Sequence, residues 1–179
     1  MKKMILIIIT LILSTNVCFA NFIDDNPHRF VKMPAMEFDD IYIDTDSIKL
    51  IRDDFPFYVI DVDEYWKSYT DYFITKNTSR YFYDYNSQKM YGLLIKWGAL
   101  YKQDGTNIPI KYKDKNGKIK YKQINESTNS KIVSLPEKSN GYIAANVVFY
   151  YVYHKWFSKN FNEKIKERNQ KVLGGKDAI

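Results

Sequence analysis

Only one cysteine, seven glycines, five prolines and two histidines occur in the 179 residues. The cysteine, Cys18, lies within a stretch that reads as removable, so a processed chain has no disulfide and no thiol chemistry, and its core alone must hold it together. The histidines, His28 and His154, stand in no His-x-x-x-His or His-Glu-x-x-His pattern, and neither a Gly-rich phosphate loop nor Gly-x-Ser-x-Gly occurs. No catalytic residue, metal ligand or cofactor is therefore expected, and His154 reads as structural or solvated. Long hydrophobic runs are also missing. Met4 to Leu13 is apolar apart from Thr10, far short of the roughly 20 residues that span a bilayer.

That short run is what a secretory leader needs. Met1-Lys2-Lys3 is a basic start, and Cys18-Phe19-Ala20 places small residues where a signal peptidase reads, so cleavage after Ala20 is expected. Thr15, Asn16 and Val17 before Cys18 do not match a lipidation signal. Export to the periplasm or cell surface follows, with no transmembrane anchor after cleavage. The remaining 159 residues suit one domain. Losing Lys2 and Lys3 takes the formal net charge from +6 to +4, and the charges are interspersed, so nucleic acid is not an expected partner.

Residues 21–36 read as an irregular arm, 37–173 as one α+β domain and 174–179 as a tail. Ile41 to Asp44 reads as a strand ended by turn chemistry at Thr45-Asp46-Ser47, and this reading is preferred to a calcium site built from Asp39, Asp40, Asp44 and Asp46. Residues 55–66 predict a strand buried on both faces at its start and wetter at Asp61, Asp63 and Glu64. Residues 67–79 read as a connection, 79–85 as a strand, and 90–101 as its partner after a turn at Asn86-Ser87.

Ile108, Ile110 and Tyr112 run into Asp114-Lys115-Asn116-Gly117, and Ile119, Tyr121 and Gln123 run out, which predicts a hairpin with a primed turn. Lys111, Lys113, Lys118, Lys120 and Lys122 take the opposite parity, giving one apolar and one basic face. Lysine keeps an edge hairpin soluble, and an anion-contacting face is the alternative. From Gly141 to Phe161 the apolar spacing predicts a helix capped by Ser139 or Asn140 and packed across the sheet.

Aromatic residues are the surplus, at 17% with 16 tyrosines. Tyr83, Tyr85, Tyr150, Tyr151 and Tyr153 are therefore expected to be partly exposed, either as a recognition surface or as amphipathic rims of the core. The tentative contact surface is the hairpin lysines with Tyr83, Tyr85 and Tyr153. An enzyme would require a pocket joining His154 to Asp61 or Asp63.

Ile41-Tyr42-Ile43-Asp44-Thr45-Asp46-Ser47-Ile48, the strand Tyr58 to Trp66, Tyr81-Phe82-Tyr83-Asp84-Tyr85-Asn86 and Ser139 before the last helix resemble the surface-adhesin protein E family over roughly residues 37–158. The resemblance implies an antiparallel sheet of about six strands with a C-terminal helix packed on one face. It also implies an adhesin-type envelope or surface protein whose partners are extracellular proteins, glycans or envelope components. A periplasmic accessory subunit pairing through a sheet edge or helix is the alternative. Family members commonly carry a cysteine pair tying helix to sheet. Packing around Val148 must replace it here, and the lysine-rich hairpin looks like an insertion.

Overall fold

The computed structural model of the chain describes residues 21–34, 39–68, 73–122, 131–159, 161–163 and 165. Residues 1–20, read as a leader with Cys18, and residues 174–179, read as a tail, lie outside them. Among the described residues the elements used below are β1 (Phe30–Lys32), β2 (Asp39–Asp54), β3 (Phe57–Ser68), β4 (Phe73–Asp84), β5 (Lys89–Lys102), β6 (Asn107–Ile108), β7 (Ile110–Lys113), β8 (Ile119–Lys122), β9 (Val133–Ser134) and α1 (Asn140–Tyr153). β1 to β6 pair antiparallel in chain order, and β9 adds to β5. The sheet curls into an open half-barrel with the helix C-terminal to it, as the α+β reading expects.

Period-2 alternation divides the burial between two faces. Ile41, Ile43, Ile60, Val62, Tyr81, Tyr83 and Met90 belong to one core with α1, while Tyr42, Tyr65 and Ile74 join a second core with Ile23 and Phe30 of the N-terminal arm. Docking orders the arm: β1 pairs with β2, and Phe22 and Phe30 set their rings against Tyr65 at centroid distances of 5.6 and 5.2 Å.

Helix α1 is buried at every position from Tyr142 to Phe149, including Val148. Its apolar character all round has a physical cause in two covers. The sheet lies on one side, and the segment after the helix packs back on it, with Phe157 against Phe149 and the sheet residue Tyr83 (5.2 Å each) and Phe161 against Tyr142 (6.2 Å). Asn146 closes the polar accounts between them, donating to Tyr142 O (2.9 Å) and accepting from Ser158 N (2.9 Å). Ser139 caps the start, its Oγ accepting from Tyr142 N. The helix ends at Tyr153 rather than near Phe161, because His154 takes a left-handed conformation (φ 55°) and donates its N–H to Tyr150 O.

Two segments differ from the sequence reading. Thr45 to Ile48 is a register shift inside the continuous strand β2, not a turn, and Ser47 Oγ bridges it by accepting from Asp63 N (2.8 Å). Residues 73–79 are strand rather than connection. Ile74 is fully buried there, and the polar residues that resemble a loop are satisfied across the ladder. Lys76 pairs with Asp63 at 2.5 Å, and Thr78 donates to the same carboxylate.

The lysine hairpin forms a separate two-stranded ribbon. Asn116 does not take a positive φ; Gly117 does (73°), with Gly117 N donating to Asp114 O and Asp114 N to Lys118 O. This is a turn closed by a glycine bulge, and it pairs Lys113 with Ile119 and Tyr112 with Lys120. Directly opposed residues share a face, so lysine and apolar positions are mixed instead of segregated. One bulge residue moves the register by one and overturns the two-faced hairpin. Gly117→Ala, forced into a left-handed conformation, should cost the ribbon about 1 kcal/mol. Amide exchange of Lys113 and Ile119 should accelerate several-fold while the global unfolding midpoint stays in place, because among the described residues β7 and β8 pair only with each other.

Candidate functional site

On the helix side of the sheet, α1 covers the strands only as far as its N-terminal end. Next to Gly141, a groove of about 460 Å³ remains between β3, β4, β5 and the segment of β9. Three strands bring its polar floor together by alternation. Glu64 and Trp66 come from β3, Asn77, Ser79 and Tyr81 from β4, and the small Gly92 of β5 leaves room above Tyr81. Leu94, Val133 and Leu135 supply apolar walls, and Leu94 and Val133 are exposed at the mouth. Leu135 is seated by two glycines: a Cβ on Gly92 or Gly141 would stand 3.1 or 2.9 Å from its Cδ2.

Glu64 is the chemically distinctive group. It is 5% exposed, and its Oε1 accepts a hydrogen bond from the buried Tyr81 hydroxyl. Burial pushes its carboxyl pKa up, against hydrogen bonds from Tyr81, Trp66 and Ser79 that favour the ionised form, and neighbouring Asp63 raises it further. The Tyr81 phenol is pushed well above its ordinary value by burial and by Glu64. Trp66 Nε1 is buried and makes no hydrogen bond of normal geometry among the described residues, though it lies close enough to Glu64 to favour the carboxylate.

The other two buried acids have cations. Asp44 takes a two-point contact from Arg29 (2.8 and 2.7 Å), and Asp40 meets Lys32 at 2.8 Å. Asp44 and Asp40 are thereby neutralised in place, and among the described residues no cluster of His, Cys, Asp or Glu could hold a metal. Glu64 makes no ion pair among the described residues. A second cavity, about 340 Å³ on the far side of Leu135, is bordered by Lys89, Glu137 and Lys159 and has no buried ionisable side chain other than Tyr142 in its lining.

The residues singled out from sequence do not converge. Lys113, Lys118 and Lys120 are exposed, Lys120 pairs with Asp114 at 3.1 Å, and the side chains of Lys111 and Lys122 lie outside the described residues. Tyr83 is not a contact residue. It is 1% exposed, donates to Ala145 O (2.8 Å) and packs against Phe149 and Phe157, because its parity points it under the helix. Tyr85 is half-buried beneath Lys155, and Tyr153, also half-buried, donates to Asp53 at 2.7 Å, which with burial pushes its phenol pKa up. Tyr150 and Tyr151 are exposed.

Asp61 and Asp63 face the arm side of the sheet, bound to Arg80 and Lys76. His154 caps the helix on the other side, so the fold brings no carboxylate of this pair to it. The sequence reading missed Glu64 and Trp66 as site residues. Their signal was there: they continue the parity of Tyr58, Ile60 and Val62, whose face is the helix face. No protein-family model, curated protein or solved structure matches the chain.

Proposed function

We propose that this chain is an exported, non-enzymatic binding domain of the bacterial envelope or surface, and that the groove beside Gly141 receives its ligand. The observation that carries the reading is a sizeable apolar groove floored by a buried carboxyl group, with the buried Trp66 N–H and Tyr81 O–H beside it. Ligand sites combine apolar walls with a few polar groups in this manner. The leader supports export, and the resemblance to the surface-adhesin protein E family supports an adhesin-type role toward matrix proteins, glycans or envelope components.

Residues 21–179 should bind the neutral probe Nile red saturably, with fluorescence enhancement. Leu94→Asp, which sets a charge on the groove wall, should weaken binding at least tenfold. Absence of saturable binding, or binding indifferent to that substitution, removes the groove from the function.

An accessory subunit pairing through a sheet edge draws support from β5. Its outer edge is paired with β9 at Tyr91–Gly92 and with β6 at Leu100–Tyr101, and between these Trp97 is 49% exposed. A solution mass of two chains, with Trp97 shielded from quenchers, favours that reading over a monomeric binder.

A further inference from the structure

Resting on the groove as a binding site, we propose that it selects small amphipathic molecules carrying a protonated amine, with Glu64 as the counter-charge. The first ground is charge pairing. Among the described residues, the buried acids are Asp40, Asp44 and Glu64; the first two have a lysine or arginine at 2.7–2.8 Å, whereas Glu64 has only neutral donors. Those donors give the ionised form of Glu64 hydrogen bonds but no counter-charge, and a buried charge is stable only when paired, so burial favours the protonated form until a cation arrives. An ammonium group supplies what the protein omits.

The second ground is the wall chemistry. Trp66 and Tyr81 line the groove with aromatic carbon and bring their N–H and O–H groups to Glu64. Leu94, Val133 and Leu135 offer the apolar surface an alkyl or aryl body requires. A volume of about 460 Å³ falls within the range of small-molecule sites. A ligand carboxylate, by contrast, meets the Glu64 carboxyl group at the floor.

The charged and titratable groups around Glu64 are few. Tyr81 faces it from β4, Tyr83 lies deeper under the helix, Asp63 neighbours it on β3, and Lys131 lines the groove from the segment before β9 with its residue exposed. Glu64 is held toward its protonated form by burial. Binding of the ammonium ionises it: the carboxyl O–H bond breaks, the proton goes to solvent, and an ammonium–carboxylate pair forms. Affinity therefore rises with pH below the free carboxyl pKa and levels off above it.

The test is calorimetric titration of residues 21–179 with n-octylamine, n-octanol and sodium octanoate at pH 7.5, below their micellar concentrations. Octylamine should bind at least tenfold more tightly than octanol or octanoate. Repeated between pH 4 and 8, the octylamine preference should grow with pH and then level off, with proton release, read as a heat that varies with the ionisation enthalpy of the buffer, over the rising part. Glu64→Gln should remove both the preference and its pH dependence. The pH dependence of the preference on the unaltered chain decides the matter if that variant fails to fold. Equal binding of octylamine and octanol, with both displacing Nile red, overturns the amine proposal and leaves the groove as an apolar site. Binding of none of the three, with no Nile red uptake, overturns both.

Discussion

Phe149→Ala should lower the free energy of unfolding by about 3–5 kcal/mol, the range for truncating a buried aromatic residue. Phe149 has no exposed surface, and its ring lies 4.5 Å from Tyr153, 4.9 Å from Tyr83, 5.2 Å from Phe157 and 5.6 Å from Tyr58 between ring centres. These rings come from β3, β4, α1 and the returning segment, so the cavity opens where all of them meet. At roughly 2–4 °C per kcal/mol for a domain of this size, the melting temperature should fall by roughly 10 °C. Urea titration should show a lower midpoint with an unchanged slope. A loss below about 1 kcal/mol would mean that α1 is not seated on the sheet as described.

Glu64→Gln should stabilise the protein at pH 7–8 and change the shape of its pH–stability curve. Burial raises the folded-state pKa of Glu64 above its unfolded value. Well below the unfolded value both states hold the proton, and the native state loses nothing. As pH climbs through the unfolded value, the unfolded chain ionises first while the folded carboxyl keeps its proton, so stability declines by up to about 1.4 kcal/mol per pH unit. The decline stops once pH passes the folded pKa. Glutamine can still accept from Tyr81 but cannot ionise, so the variant lacks this slope.

The two curves should run parallel near pH 4 and diverge above it in favour of the variant. Asp84 and Asp104, whose carboxyls are held low by turn hydrogen bonds, and Asp114, held low by Lys120 and by the turn backbone, occur in both proteins and cancel in the difference. Parallel curves from pH 4 to 8 would show that Glu64 ionises in the folded protein as readily as in the unfolded one.

The fold was legible in sequence because it rests on local signals. The strands around Ile41, Val62, Tyr81 and Met90 announce themselves by β-branched and aromatic alternation. Ser139 caps the helix it precedes, and Gly117 takes the positive φ that a hairpin turn needs. Two boundaries were hidden by non-local partners. Residues 73–79 look like a loop because Lys76 and Thr78 are polar, and the carboxylate that admits them to a strand lies on β3. The helix looks longer than it is because the apolar residues after His154 belong to a segment that packs back against it.

Legibility was poorer at the site. Tyr83 and Tyr153 share a residue type and a surplus of neighbours, yet one is sealed beneath the helix and the other reaches Asp53 near the surface. Among the acids, the count near Asp44 drew attention, whereas the decisive fact at Glu64 is the absence of an ion-pair partner among the described residues. Pairing is a property of the folded neighbourhood.

Backbone preferences and periodicities of two and 3.6 residues, which operate within a few positions of each residue, specified most of the strands and the helix start at Ser139; residues 21–179 hold no cysteine for a disulfide, and the antiparallel sheet came as what the family resemblance implies. The folded chain was needed for the hairpin register, the packing of the returning segment on α1, the burial of Tyr83 and the isolation of Glu64 in a groove. Each depends on which distant strand or segment lies opposite, and a one-residue change in pairing exchanges the faces of a strand.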